Sequence, residues 1–398
     1  MTRTVSADVV VAGAGAAGMA AAIAAARQGV DVLLIEKQGS TGGTVVHGLI
    51  HTLGGLYDAE GGYLNSGLPH ELAERILKAD CNAKPRKIGK TWTLSCEPDI
   101  YGRVTADWLA EEGVRIWCGA SVNQVQATDE RIEALEGVDH EGGSWRVKCG
   151  AVIDCTGSAE VVRQVNSARV VEEENRAAAG LIFTVKNIEQ DALIFPRNIE
   201  VLRGLRRAAE QGRLPEICAK AWVDVGVKER EAYVKLFVPM GEQWRLPSEL
   251  GRVTAEAQAW RDDVLAVLKT LPGFEAAHLG VTGEIGIRDG GRIVGDYLLT
   301  DDDVRNARKF PDPACKCNWP IEYWHPETGV QLEYLPVGSY YEIPRSALQV
   351  KGYSNLWAAG KCLSAEPQAR ASARVVGCCW GMGEAVGISA AQLKGVGT

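Results

Sequence analysis

Gly13, Gly15 and Gly18 are spaced as G-x-G-x-x-G, and Glu36 stands 18 residues beyond the last of them. Glycines at this spacing allow a tight turn, a close approach of backbone to a phosphate, and close packing of helix on strand. A carboxylate at that distance is placed to accept both hydroxyls of a ribose. The chemistry implied is the holding of a dinucleotide. A second set of residues carries proton and anion chemistry. His47, His51 and Tyr341 are candidate proton carriers. Arg288, Arg345 and Arg370 are candidates to clamp a carboxylate, which guanidinium does in bidentate fashion, and Arg370 is also a catalytic candidate.

The elements around the glycines support the first reading. Asp8 to Ala12 is a short valine-rich run, as expected of a buried parallel strand. Met19 to Arg27 is an alanine-rich helix ending at Gly29, and Val32 to Ile35 is a second buried strand. The N-terminus of the helix, with Ala16 and Ala17, presents free N–H groups and partial positive charge to phosphates. A lone glycine triplet is weak evidence; this one has the strand, the helix and the acid in place.

Further along lie loops that reach the same place in such a fold. Lys37 is followed by QGSTGGTV, a second glycine-rich loop with Gly42, Gly43 and Thr44. AVIDCTG reads as a strand running into Thr156 and Gly157, and LWAAG as a buried strand ending at Gly360. RASARVVGCCWGMGEAVGISAA then reads as a helix made slim by Gly377, Gly381, Ala385 and Ala390. Its start, near Ala371 to Arg374 and just before Val375 and Val376, points a helix N-terminus past Gly360.

His47 and His51 are four apart and are expected to share a helix face. Without a nearby acid they make no metal site, and no metal is expected elsewhere. Asp301, Asp302 and Asp303 read as a helix start capped by Thr300, not as a calcium loop. The segment 82–89 reads as polar and exposed. Between 163 and 277 the pattern is mixed: strands about Gly180 to Val185 and Ala232 to Val238, helices about Ile199 to Glu210 and Thr254 to Leu271. Trp222, Trp244 and Trp260 fall there and read as core or interface.

Composition narrows the class. The 398 residues suffice for two or three domains, and 46% hydrophobic with 24% charged residues is ordinary for a globular protein. A net charge of −8 argues against nucleic acid or anionic membrane as a main partner. The apolar start ending in Ala24 to Ala26 resembles a secretory signal, but the nucleotide fingerprint accounts for it better, so a cytoplasmic location is expected. Eleven scattered cysteines lack metal spacing and read as free thiols in a reducing compartment, a redox pair being the alternative.

The fingerprint does not separate NAD from FAD. The Gly-Gly after the acidic strand end resembles two-domain flavoproteins of the glutathione-reductase class, which favours FAD. TGGTVVHGLIHTLGGLYD, DCTGSAEVV, RDGGRIVGDYLLTDDDV, YYEIPRSAL and LWAAGKCLSAEPQARASARVVGCCWGMGEAVG together resemble the FAD-dependent oxidoreductases of the FAD-oxidored group. The resemblance implies an α/β fold: a Rossmann-like FAD-binding domain, its parallel sheet carrying a small antiparallel β-meander, plus a mixed α+β substrate or cap domain. The expected division is 1–165 and 335–398 for FAD, with 166–334 as the cap.

The same resemblance places Gly13, Gly15, Gly18, Glu36, Gly43 and Gly360 at FAD, with Arg374 to Gly377 near the ring. Relatives commonly carry Arg-Glu-x-Arg-Arg-Ile where this chain has Arg288-Asp289-Gly290-Gly291-Arg292-Ile293. The expected activity is hydride transfer to a noncovalently bound flavin from a C–H beside an amine or hydroxyl. The substrate would be small and polar, carrying a carboxylate in one version, and oxygen or another acceptor would reoxidise the flavin. Alternatives are reduction of an activated C=C bond, monooxygenation, and an FAD-bearing electron-transfer subunit without its own substrate. A covalent flavin link through Cys362 or a histidine also stays open.

Overall fold

The computed structural model describes residues 2–174 and 176–393. Its centre is a seven-stranded sheet. Arg115–Cys118, Val32–Glu36, Arg3–Ala12 and Ser144–Asp154 lie side by side and parallel. The last of these strands is long and serves two neighbours on its far side. Its first half pairs antiparallel with Arg131–Asp139, which in turn pairs with Ala120–Thr128. Its second half pairs parallel with Leu356–Ala358. The parallel sheet therefore carries the expected antiparallel meander. Val9 to Ala12 and Val32 to Ile35 are buried on both faces, which is why they read as continuous apolar runs.

Two helices lie against each other on this sheet, Ala16–Ala26 and Val376–Gln392. Their contact depends on missing side chains. A Cβ on Gly383 would stand 2.2 Å from the Ala17 carbonyl oxygen, and one on Gly387 2.3 Å from that of Ala21. Gly381 packs instead on Cys315, and Gly377 on Gly55. The last helix thus needs small residues on more than one side.

A four-stranded antiparallel sheet stands apart from the first: Trp222–Val225, Glu231–Val238, Ala179–Lys186 and His278–Thr282, in that order. One face carries Leu181, Phe183, Val185, Val234 and Leu236, buried under the helices Asn198–Glu210 and Pro247–Leu268. The two-residue alternation of a strand puts Gly180, Ile182, Tyr233, Lys235 and Phe237 on the other face. That face turns back to the rest of the molecule. Ile182 and Tyr233 cluster with Leu49, and Phe237 packs on Trp324 at a ring separation of 4.4 Å.

The segment 82–89 is polar and largely exposed, as expected, and within it Lys84–Ile88 forms a hairpin with Thr91–Ser95, turning at Gly89. Its polar residues gave no alternation to read. The long helix starts at Pro247, not Thr254. The hairpin Ile321–His325 with Gly329–Glu333 was not foreseen. Among the described residues no helix is long and apolar enough to cross a membrane.

Candidate functional site

The two glycine loops lie backbone against backbone. Gly42 N–H donates to the Ala14 carbonyl at 2.9 Å. A Cβ on Gly43, whose φ is +51°, would stand 2.6 Å from Gly15 Cα. Gly13, at φ +96°, packs on the Cys155 and Thr156 backbone, so the AVIDCTG strand end meets the first loop. Asp154 ties that end: its carboxylate accepts from Thr156 N and Oγ1 and from Val161 and Val162 N. Burial still holds the Asp154 carboxyl above the usual range. Glu36 accepts from Ala14 N at 2.6 Å and Gln38 N at 2.8 Å, which fixes its carboxylate beside the loop.

One direction is left open. A Cβ on Gly15 would meet nothing within 4 Å, and the helix it begins has no side-chain cap. The helix Val376–Gln392 begins the same way, after Val375 and with no side-chain cap. Gly360, at φ +86°, sits between these helices, facing Ala17 and Cys379. Two uncapped N-termini and a glycine cradle with one bare side suit a long ligand carrying phosphates at one end and an electron-poor ring at the other.

Next to this cradle lies an unusual set of cations. Lys235, Arg288, Lys361 and Arg374 are enclosed by protein, yet each keeps some solvent-reachable surface. Together they form one enclosed cluster of charge, here called the chamber. Each is close enough to the next to repel it: Lys235 and Arg288, Arg288 and Arg374, Arg374 and Lys361. Burial, then repulsion from Arg374, brings the Arg288 pKa down to about 9. The same two causes bring Lys361 down to about 8. Burial also lowers Arg374 and Lys235.

The holders of these cations are mostly neutral atoms. Arg288 lies over Gly180, donates to the Ala178 carbonyl at 2.7 Å and stacks on Trp324 at 3.7 Å. Arg374 donates to the Glu322 carbonyl at 3.0 Å, and Lys361 to the Ile287 carbonyl at 2.7 Å. The Glu322 carboxylate is itself taken by the indole N–H groups of Trp319 and Trp324. Arg370 is 1% exposed and 3.2 Å from Asp289. None of its guanidinium nitrogens makes a well-directed hydrogen bond.

The remaining candidates scatter. The helix Gly43–His47 ends at Gly48, and Leu49 has φ +55°, so His47 and His51 do not share a helix face as expected. His47 Nε2 lies 3.2 Å from the Ser40 carbonyl, and its own carbonyl accepts from Glu284 N. His51 is fully buried, stacks on Tyr233 at 3.8 Å, and has Nε2 3.2 Å from Asp224. Burial drives His51 down to about 4, against the pull of Asp224. Tyr341 is fully buried with its hydroxyl on Ser372 Oγ. Arg345 donates to Asp312 and the Ala385 carbonyl and lines a separate recess of about 260 Å³ with Lys316 and Glu384.

All eleven cysteines are unpaired, and only Cys81 is exposed. Cys315, Cys317, Cys378 and Cys379 meet in the core around Tyr341 and Ser372. Cys362 faces the Asp154 and Ala359 carbonyls. Among the described residues no cluster has metal-binding form.

A family model described as FAD dependent oxidoreductase matches residues 8–395. The chain belongs to that family. Its cofactor is accordingly FAD, and the bare cradle at Gly15 with the uncapped helix starts fits such a group. Solved structures share the fold at low identity. A geranylgeranyl bacteriochlorophyll reductase-like protein from Thermoplasma acidophilum aligns over 99% of this chain and 79% of its own, with TM-score 0.53 and 15% identity. A flavin-dependent brominase aligns over 99% and 80%, with TM-score 0.51 and 14% identity. No curated protein sequence matches the chain.

Sequence reasoning passed over Lys235, Lys361, Glu322 and Trp324. Lys361 directly follows Gly360 and was within reach. Lys235 was too: it shares strand parity with Tyr233 and Phe237, so an apolar strand was carrying an ammonium on its aromatic face. Glu322 and Trp324 gave no signal, because their hairpin was not read.

Proposed function

We propose that this FAD-dependent oxidoreductase oxidises a small carboxylate-bearing substrate at a C–H beside a hydroxyl or amine. The chamber at Arg288 and Arg374 carries this reading. Two guanidinium groups kept apart from carboxylates, one stacked on an indole, form a clamp for a planar anion. Residues 1–165 and 335–398 would hold the cofactor and 166–334 would cover it. Gly13, Gly15, Ala16, Ala17, Gly18, Glu36, Lys37, Gly42, Gly43, Thr44, Thr156, Gly157, Gly360 and Arg374 to Gly377 would line it.

When bound, FAD accepts the hydride and passes the electrons to an acceptor. The chain's own work is different. The first helix N-terminus and Lys361 would balance the diphosphate, and the N-terminus of the last helix would favour negative charge on the ring. Arg288 and Arg374 would fix the carboxylate, and so the direction of the reacting C–H. Trp319 and Trp324 donate their indole N–H groups to the Glu322 carboxylate, which makes no ion pair with either arginine of the clamp among the described residues.

Anaerobic bleaching tests this. The yellow protein is mixed with 2-hydroxy acids, amino acids, the matching alcohols and amines without a carboxylate, and NAD(P)H. Bleaching by the acids and not by their uncharged analogues is expected, with colour returning in air. Bleaching by NAD(P)H alone would overturn the reading in favour of a reductase or monooxygenase.

A further inference from the structure

One cation of the chamber differs from the other three. Among the described residues Lys235 makes no hydrogen bond and no ion pair. Its place in the second sheet is fixed from both sides along the strand: Tyr233 stacks on His51 and Phe237 packs on Trp324. Across the sheet it is opposite Ile182 and Trp222. An ammonium held between two aromatic anchors, on the face turned to the chamber, has little freedom to swing out to solvent.

The groups that face it come from four elements. Asp224 on the neighbouring strand is the nearest acid by influence, yet its Oδ2 is taken by Arg86 at 2.7 Å and stands 3.2 Å from His51 Nε2. Glu322 on the hairpin is taken by two indoles. Arg288 and Arg86 repel the ammonium. The two acids that would normally hold a lysine charged are thus occupied elsewhere, and two arginines oppose its charge. Arginine keeps its proton in this setting, whereas lysine readily gives one up. The chamber therefore contains two permanent cations to hold an anion and two amines, of which Lys361 is tied to the Ile287 carbonyl at 2.7 Å and Lys235 is left to act as a base.

We propose that Lys235 is the catalytic base that takes the proton from the substrate hydroxyl or ammonium. The substrate C–H bond breaks and its hydrogen leaves with both electrons to the flavin. The O–H or N–H bond breaks, its electrons form the C=O or C=N bond, and its proton goes to the neutral Lys235 Nζ. The substrate is oxidised by two electrons and the flavin reduced by two. The inference rests on the oxidation reading above.

The test compares Lys235→Met and Lys235→Arg with the wild type, all loaded with FAD. Bleaching by an active hydroxy or amino acid should slow about 100-fold or more in both variants, the usual weight of a positioned base. The wild-type rate should rise with pH to a plateau, and the plateau should vanish in Lys235→Met. Added small primary amines should restore part of its rate. Binding of a carboxylate with no oxidisable C–H, read from the flavin spectrum, should change less than threefold. In the apo-protein, acylation of Lys235 followed by mass spectrometry should show an inflection below the ordinary lysine range. Bleaching within threefold of wild type in Lys235→Met would overturn the lysine proposal alone. So would a loss confined to anion binding, or an ordinary lysine inflection. If no acid bleaches the wild type, the oxidation reading falls and takes the proposal with it.

Discussion

At the glycine loops the chain makes room by leaving atoms out; at the chamber it does so by leaving charges without partners. The loops, the first helix and the last helix meet through Gly13, Gly15, Gly18, Gly43, Gly383 and Gly387, where a Cβ would strike backbone or have open space. The chamber, a few residues along the same chain at Lys361 and Arg374, is lined by long cationic side chains held on carbonyls and indoles. The first region can change only by overlap of atoms. The second can change its charge and still fold. Stability should therefore respond to volume in the first and to protons in the second.

The largest effect should come from adding volume to the first region. A Cβ on Gly18 would stand 1.8 Å from the Gly13 carbonyl oxygen. Gly18→Val is expected to give no yellow, folded protein, read by visible absorbance and circular dichroism. Overpacking of this kind exceeds the roughly 1–3 kcal/mol of ordinary cores because the obstacle is backbone. A soluble, flavin-bound Gly18→Val protein would break the comparison at its root.

The next effect is a pH effect beside the second region, at His51, which stacks on Tyr233 two residues from Lys235. His51 is fully buried, and its folded pKa of about 4 lies below the ordinary 6.5. Between these values the unfolded chain binds the proton and the folded one does not, so stability rises with pH there and is lost as pH falls from 6.5 to 4. The loss is about 3 kcal/mol by linkage. Urea unfolding across this range should show it in the wild type. His51→Phe, which keeps a ring on Tyr233, should lose clearly less; an equal loss would show that another group carries the acid lability.

A third change tests charge without volume. Arg374→Leu removes a chamber cation that bonds one carbonyl. The half-saturating concentration of a carboxylate donor should rise 10-fold or more, the weight of a charge-assisted hydrogen bond of about 1.5–3 kcal/mol. In the FAD-loaded variant the donor without a carboxylate should be unaffected. Loss of FAD along with the acid would place Arg374 at the cofactor alone.

The smallest effect sharpens the first half. Tyr341→Phe deletes a buried hydroxyl bonded to Ser372 without adding an atom. Unfolding free energy should fall by about 1 kcal/mol, and flavin spectrum and bleaching rate should hold. A large fall in bleaching would return Tyr341 to the catalytic candidates.

The cofactor half was legible in the sequence because its signals are local. Strand, turn, glycine, helix and Glu36 follow one another within 36 residues, and Gly18 packs on Gly13 within that run. The later strand ends at Gly157 and Gly360 could be read the same way. The chamber was not legible, since its walls come from Lys235, Arg288, Glu322, Trp324, Lys361 and Arg374, drawn from several elements whose order in the chain says nothing of their meeting. Arg288, Arg345 and Arg370 looked alike as residues. Only the fold sets Arg288 on Trp324, Arg345 in a separate recess and Arg370 against Asp289.

The histidines show the same limit on a shorter scale. Their spacing of four implied a shared face, but Leu49 at φ +55° turns the chain after His47 and sends His51 into the core. By itself the sequence determined that a dinucleotide would be held, because a phosphate is met by backbone and the backbone needs only glycines at the right steps. The tertiary structure alone decided which charges share one enclosed space. Electrostatic coupling depends on distance and burial, and neither is written in residue order.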